Sequence, residues 1–178
     1  MSRLNALGAS ATGRTAELFT AIKSKLGKLP NAYDAIGSNS PVALEALLSF
    51  DAKLADTSLS KQEIEVVKLA VSEVNGCDYC LAAHTLMGKV AGLSPDAILS
   101  ARKGNPGGDA KLDALSAFVR EVAGTRGTVP QPVVDAFKAA GYTDAQVVDT
   151  IFAITSITFT NLLNRINDTV VDFPRAPA

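Results

Sequence analysis

The chain has 178 residues, about one domain at ~150 residues per domain, and is long enough to bury a core without a metal or disulfide staple. Its apolar share of 47% and charged share of 20% are those of a globular protein, which excludes disorder and collagen-like structure. Seventeen Lys and Arg against 18 Asp and Glu leave a net charge of -1, without the basic excess that opposes phosphate, so no nucleic-acid partner is expected.

Met1-Ser2-Arg3-Leu4-Asn5 leads into no apolar run of signal-peptide type. The most apolar stretch, Val147 to Phe159, is interrupted by Asp149 and several Thr and Ser residues. A cytoplasmic protein with no membrane span is therefore expected.

Alternating strand patterns are absent, and apolar residues recur at helical spacing. The spacing predicts a first helix over about Thr12 to Leu26, ending before Gly27 and Pro30. Ser40-Pro41 reads as an N-cap followed by Pro at the first helical position, opening a helix with Leu44, Leu47, Leu48 and Leu54. Ser60 and Glu63 form a capping-box signature, followed by a helix with Ile64, Val67, Val71 and Val74 on one face. Asn75-Gly76 breaks that helix, and a new one runs from Cys77 or Asp78 to Ala91, stopped by Gly92.

Ser94-Pro95-Asp96 caps a short helix, and Gly104 to Gly108 is a loop. Asp109 caps a helix carrying Leu115, Phe118 and Val122, and Gly124 to Pro132 is a second loop. A short helix then ends at Gly141, and a Thr143–Gln146 capping box opens a long apolar helix towards Asn167. With no linker or low-complexity segment, residues 1–178 read as one all-α domain, with the chemistry concentrated in a motif region at 60–92.

The chain holds two cysteines and one histidine, and all three fall within the eight residues Cys77 to His84. At ~100° per residue, Cys77, Cys80 and His84 share about 60° of one helix face. The two thiols, at i and i+3, are adjacent on one turn, and His84 follows Cys80 by one turn. Cys77 stands at the helix start, where unpaired N–H groups and the dipole favour a thiolate. Glu65 lies 12 residues before Cys77, ~18 Å away in an unbroken helix. A reversal at Asn75-Gly76 instead places Glu65 opposite His84, where it would orient the imidazole and raise its basicity. The alternative for Glu65 is an ordinary surface ladder with Lys61 and Lys68. Tyr79, on a neighbouring face, is a packing residue or an auxiliary site residue. One Cys pair and one His are too few for a closed zinc site. Leu81 follows Cys80, where c-type haem attachment requires His, and the βαβ context of a thioredoxin motif is missing.

Glu65, Cys77-Asp78-Tyr79-Cys80 and His84 resemble the E-x11-C-x-x-C-x3-H signature of the alkylhydroperoxidase D and carboxymuconolactone decarboxylase superfamily. Lys68-Leu69-Ala70-Val71-Ser72 leading into Asn75-Gly76-Cys77, and the stretches Ala140–Thr143 and Asn164–Thr169, are also similar to that family. The resemblance implies an all-helical bundle of that type, assembling as a homo-oligomer, a trimer or a hexamer. It implies a thiol peroxidase or disulfide reductase that uses no metal, haem or other cofactor. Its partners would be a hydroperoxide substrate and a dithiol or protein disulfide electron donor. Carried onto this chain, Cys80 attacks the peroxide, Cys77 resolves the sulfenic acid, and Glu65 and His84 relay protons. The family often has His where this chain has Tyr79.

The expectation is thus an antioxidant alkylhydroperoxidase-type peroxidase. The helix-terminus argument favours Cys77 as the attacking sulfur, whereas the resemblance and the His84 spacing favour Cys80. Three alternatives remain open: a disulfide reductase serving another peroxidase, a decarboxylase-like lyase using His84 and Glu65 as acid and base, and a non-enzymatic helical assembly module.

Overall fold

A computed structural model describes residues 2–177. After a 3-10 turn at Gly8–Ser10, the described residues form nine α-helices and no strand. These are α1 (Gly13–Leu26), α2 (Asn31–Asn39), α3 (Pro41–Leu54), α4 (Lys61–Val74) and α5 (Asp78–Val90). Then follow α6 (Pro95–Lys103), α7 (Ala110–Thr125), α8 (Gln131–Ala139) and α9 (Asp144–Asn167). The chain is all-α, as its sequence predicts.

Most helix starts are set by the residue types that the sequence displays. Ser40 accepts from the Ala43 N–H, Ser94 from Ala97, and Asp109 from Lys111 and Leu112. Both capping boxes close: Ser60 Oγ accepts from Glu63 N–H at 3.2 Å while Glu63 Oε2 accepts from Ser60 N–H at 2.7 Å, and Thr143 and Gln146 repeat the pattern.

Helix α2 is the element that the sequence reading lacks. It starts after Pro30 with no side-chain cap of its own. Its free N–H groups are satisfied from far along the chain: Ala32 N–H donates to the Tyr79 hydroxyl at 3.2 Å, and Asn31 N–H to Asp172 Oδ2 at 3.4 Å. A helix capped by tertiary contacts leaves no local signal.

Helix α4 is the central element and packs against α5, α6, α7 and α9. Ile64, Val67 and Val71 are buried, as expected, but so are Val66, Leu69 and Ala70, because α4 is enclosed on several sides. Val74, expected on the same face, is exposed at the helix end. A second apolar cluster joins α1, α2 and α3 through Leu18, Phe19, Ile22, Ile36, Leu44 and Leu47.

By length and mean hydropathy α9 could cross a bilayer. Here its Thr150, Ala153, Ser156, Ile157, Asn161 and Asn164 side is buried, while Val148, Ile151, Phe159, Leu162 and Ile166 are exposed.

The α1–α3 cluster depends on one close approach. A Cβ at Gly37 would lie 2.5 Å from Phe19 Cε1 and 2.6 Å from Leu44 Cδ2. Gly37→Ala should therefore destabilise the protein by about 1–3 kcal/mol through overpacking, despite the better helix propensity of alanine. Urea unfolding measures this; an unchanged or higher midpoint contradicts the packing described.

Candidate functional site

The site begins at the turn between α4 and α5. Gly76 adopts a left-handed conformation with φ of 63°, a geometry that glycine takes without steric cost. Cys77 N–H then donates to Ser72 O at 2.9 Å, and the chain reverses. The reversal sets α5 beside α4 and brings Glu65 opposite His84, with His84 Nδ1 2.8 Å from Glu65 Oε2. A carboxylate only accepts, so Nδ1–H donates and Nε2 is left to exchange protons. Glu65 does not join a lysine ladder: the Lys68 ammonium pairs instead with Asp51 Oδ1 at 3.2 Å.

Cys77 is the N-cap of α5, and its Sγ accepts from Cys80 N–H at 3.3 Å. The cysteines are 1% and 3% exposed, both free thiols, with their sulfurs 2.6 Å apart. Closing an S–S bond of ~2.05 Å would take about half an ångström of movement.

The two sulfurs differ in surroundings. A cavity of about 470 Å³ is lined by Cys80, Ala83, His84 and Met87 from α5, Glu65 and Lys68 from α4, and Thr160 and Asn164 from α9. Cys77 is not among its lining residues. Leu26, Tyr33 and Leu86 add apolar wall, and Phe173 and Pro174 of the C-terminal segment complete it.

The electrostatics separate the thiols further. Cys80 is held down at about 6. The hydrogen bond from the Cys77 thiol is the largest cause; burial opposes it, and the His84 charge and the Asn164 and Asn161 amides assist. Cys77 is pushed up, first because its proton is the one held in the bond to Cys80, then by burial and the Cys80 charge. The helix-terminus argument for Cys77 thus meets a stronger opposing effect. Its sulfur does receive an N–H of the first turn, but burial and a neighbouring thiolate outweigh it.

Tyr79 lines the cavity, but its hydroxyl is engaged on both sides. It accepts from Ala32 N–H and donates to Asp172 Oδ1 at 2.7 Å. Burial pushes its pKa up. Asp172 also receives Lys28 Nζ at 3.1 Å, and the Phe173 ring meets Tyr79 edge-on with centroids 5.6 Å apart. Sequence reasoning missed this C-terminal contribution and that of α9. The available signal was a pair of asparagines, Asn161 and Asn164, at helical spacing within an apolar helix. Among the described residues, no group of three or more His, Cys, Asp or Glu side chains is arranged to hold a metal ion.

This arrangement is a buried dithiol with a His–Glu pair, mounted in an all-helical fold. Residues 41–121, which include Glu65, Cys77, Cys80 and His84, match the model of the Carboxymuconolactone decarboxylase family. An alkyl hydroperoxide reductase AhpD of Mycobacteroides abscessus is 32% identical over 77 residues, which is 43% of this chain and 38% of that protein. The chain therefore aligns with under half the length of that relative. Among solved structures, an AhpD-core, peroxidase-related protein from Ralstonia eutropha JMP134 superposes with a TM-score of 0.83 at 20% identity, covering 96% of this chain and 92% of that one. The debrominase Bmp8 in complex with 2,3,4-tribromopyrrole superposes with a TM-score of 0.80 at 15% identity, covering 97% and 92%. The match to the Carboxymuconolactone decarboxylase family thus spans under half of the chain, and the likeness to these solved structures is one of fold.

The thiol electrostatics make a direct prediction. Cys80 has a lowered pKa, so its thiolate is populated above pH about 6 and lost below it, while Cys77 stays protonated through that range. Iodoacetamide should label Cys80 first, with a rate midpoint near 6 rather than the ~8.5 of a free thiol. Preferential labelling of Cys77, or a midpoint near that of a free thiol, contradicts the assignment.

Proposed function

We propose that the protein is a cofactor-free thiol peroxidase that reduces organic hydroperoxides in the cytoplasm, with Cys80 as the attacking sulfur. The observation that carries this reading is the division between the thiols: Cys80 lines the cavity, and Cys77 sits 2.6 Å away outside its lining. The similarity to an alkyl hydroperoxide reductase supports the substrate class.

The proton of Cys80 passes to His84, whose imidazolium Glu65 stabilises. The thiolate attacks the terminal peroxide oxygen; an S–O bond forms, the O–O bond breaks, and the alkoxide leaves. His84 returns the proton to the alkoxide, which departs as the alcohol. The Cys77 sulfur then displaces the hydroxyl of the Cys80 sulfenic acid, forming the disulfide and, with its own proton, water. The two sulfurs together lose the two electrons that the peroxide gains. A dithiol donor restores both thiols by two exchange steps. The depressed Cys80 pKa favours this redox reading over the lyase reading, in which the thiols would be idle. The exposed apolar stripe of α9, from Val148 to Ile166, supports assembly as a homo-oligomer.

One equivalent of cumene hydroperoxide should remove both free thiols and lower the protein mass by about two hydrogens. Two thiols that persist under excess peroxide overturn the proposal. Glu65→Gln preserves shape but removes the charge that supports imidazolium, so the rate of peroxide reduction should fall about a hundredfold. Stopped-flow oxidation measures this, and an unchanged rate removes Glu65 from the mechanism.

A further inference from the structure

Helix α9 brings two amides to the thiol pair, and they differ in one respect. Asn161 is engaged at both ends: its Nδ2–H donates to Ser72 Oγ at 3.1 Å, and its Oδ1 accepts from Asn75 Nδ2–H at 3.0 Å. Asn164, one turn on, directs Nδ2–H to Cys80 Sγ at 3.4 Å, and its Oδ1 is buried with no hydrogen-bond partner. The residue is 4% exposed and lines the cavity beside Cys80. A buried amide oxygen left without a partner is destabilising. Here that orphan acceptor belongs to the same planar group that touches the reactive sulfur. Asn164 also lies outside residues 41–121, the segment that the family match covers.

We propose that Asn164 is a further catalytic residue: its Nδ2–H holds the Cys80 thiolate, and its Oδ1 accepts the O–H of the oxygen that the peroxide transfers to that sulfur. The N–H half stands on the thiol geometry alone; the carbonyl half rests on the peroxidase reading.

The chemistry follows from the amide. An N–H bond to a thiolate is charge-assisted and stronger than one to a thiol, so this contact favours the ionised sulfur. The terminal peroxide oxygen keeps its hydrogen as the O–O bond breaks and the S–O bond forms. Oδ1 therefore accepts the same O–H before and after transfer, first from the peroxide and then from the sulfenic acid. That bond orients the hydroxyl until the Cys77 sulfur displaces it as water. The titratable groups around Cys80 are Cys77 and His84, Tyr33 of α2, Tyr79 of α5, and Glu65 behind His84, with the Lys68–Asp51 pair and Lys28 on the same cavity wall. Tyr33, pushed up to about 12 by burial and by the Asp51 and Cys80 charges, stays protonated through the range in which Cys80 ionises, as do Tyr79 and Cys77.

The test uses the full chain with Cys77→Ser, so that one thiol titrates, and compares Asn164→Ala and Asn164→Asp in that background. Thiolate absorbance at 240 nm against pH reads the N–H contact. The alanine variant should raise the midpoint by about one pH unit or more, and the aspartate variant, which adds a negative charge, should raise it further. Rates with cumene hydroperoxide and iodoacetamide, taken above every midpoint, read the carbonyl. In the alanine variant the peroxide rate should fall about tenfold or more while the iodoacetamide rate holds. The aspartate variant keeps an acceptor and should recover much of the peroxide rate.

Unchanged midpoints and peroxide rates, with unchanged circular dichroism, overturn the proposal. Peroxide and iodoacetamide rates that fall together reduce Asn164 to a structural residue. A parent protein that ignores peroxide overturns the peroxidase reading and the carbonyl role with it, while a shifted midpoint in the same protein still supports the N–H contact.

Discussion

The left-handed turn at Gly76 folds α5 back against α4, and the site inherits its geometry from that reversal. It places Cys77 at the N-cap of α5, so that Cys80 and His84 follow on the first turns of a helix rather than on a loop. Glu65 is carried by α4, the central element, enclosed by α5, α6, α7 and α9. Polar contacts across the turn lock it: Asn75 Nδ2–H donates to Asn161 Oδ1, and Arg165 Nη1 donates to Asn75 O at 2.6 Å. A reactive group held on packed helices loses little precision to thermal motion.

Within that frame burial would by itself make both thiols poor acids. What separates them is one shared hydrogen bond. It raises the thiol pKa of Cys77, which is screened from the cavity, and lowers that of Cys80, which borders it. His84 and the amides of α9 reinforce that choice. The C-terminal segment encloses the arrangement: Asp172 collects Tyr79, Lys28 and the start of α2, and Phe173 lies under the Lys28 ammonium, 4.0 Å from its ring centre. Tyr79 serves here as a tie between α5, α2 and that segment.

Much of this was legible in the amino-acid order because the deciding interactions are local. Ser60 with Glu63 and Thr143 with Gln146 announce their helices, Gly76 announces the reversal, and the reversal predicts the Glu65–His84 contact that forms at 2.8 Å. The unread parts depend on partners distant in the chain. Helix α2 is capped by Tyr79 and Asp172, 47 and 141 residues away. The full burial of α4 depends on what surrounds it, which explains why Val66 and Leu69 join the core while Val74 does not. Which cysteine ionises was not legible either. The helix terminus at Cys77 was visible, but the direction of the hydrogen bond between the thiols, and the burial that adds to it at Cys77, were not.

The site of first oxidation distinguishes the two sulfurs most directly. Cys77→Ser and Cys80→Ser proteins, each treated with one equivalent of cumene hydroperoxide in the presence of dimedone, would be digested and mapped by mass spectrometry. A dimedone-trapped sulfenic acid is expected on Cys80 in the Cys77→Ser protein, and an unmodified thiol at Cys77 in the Cys80→Ser protein. A trapped sulfenic acid on Cys77, with Cys80 left as a thiol, would contradict the assignment of Cys80 as the attacking sulfur.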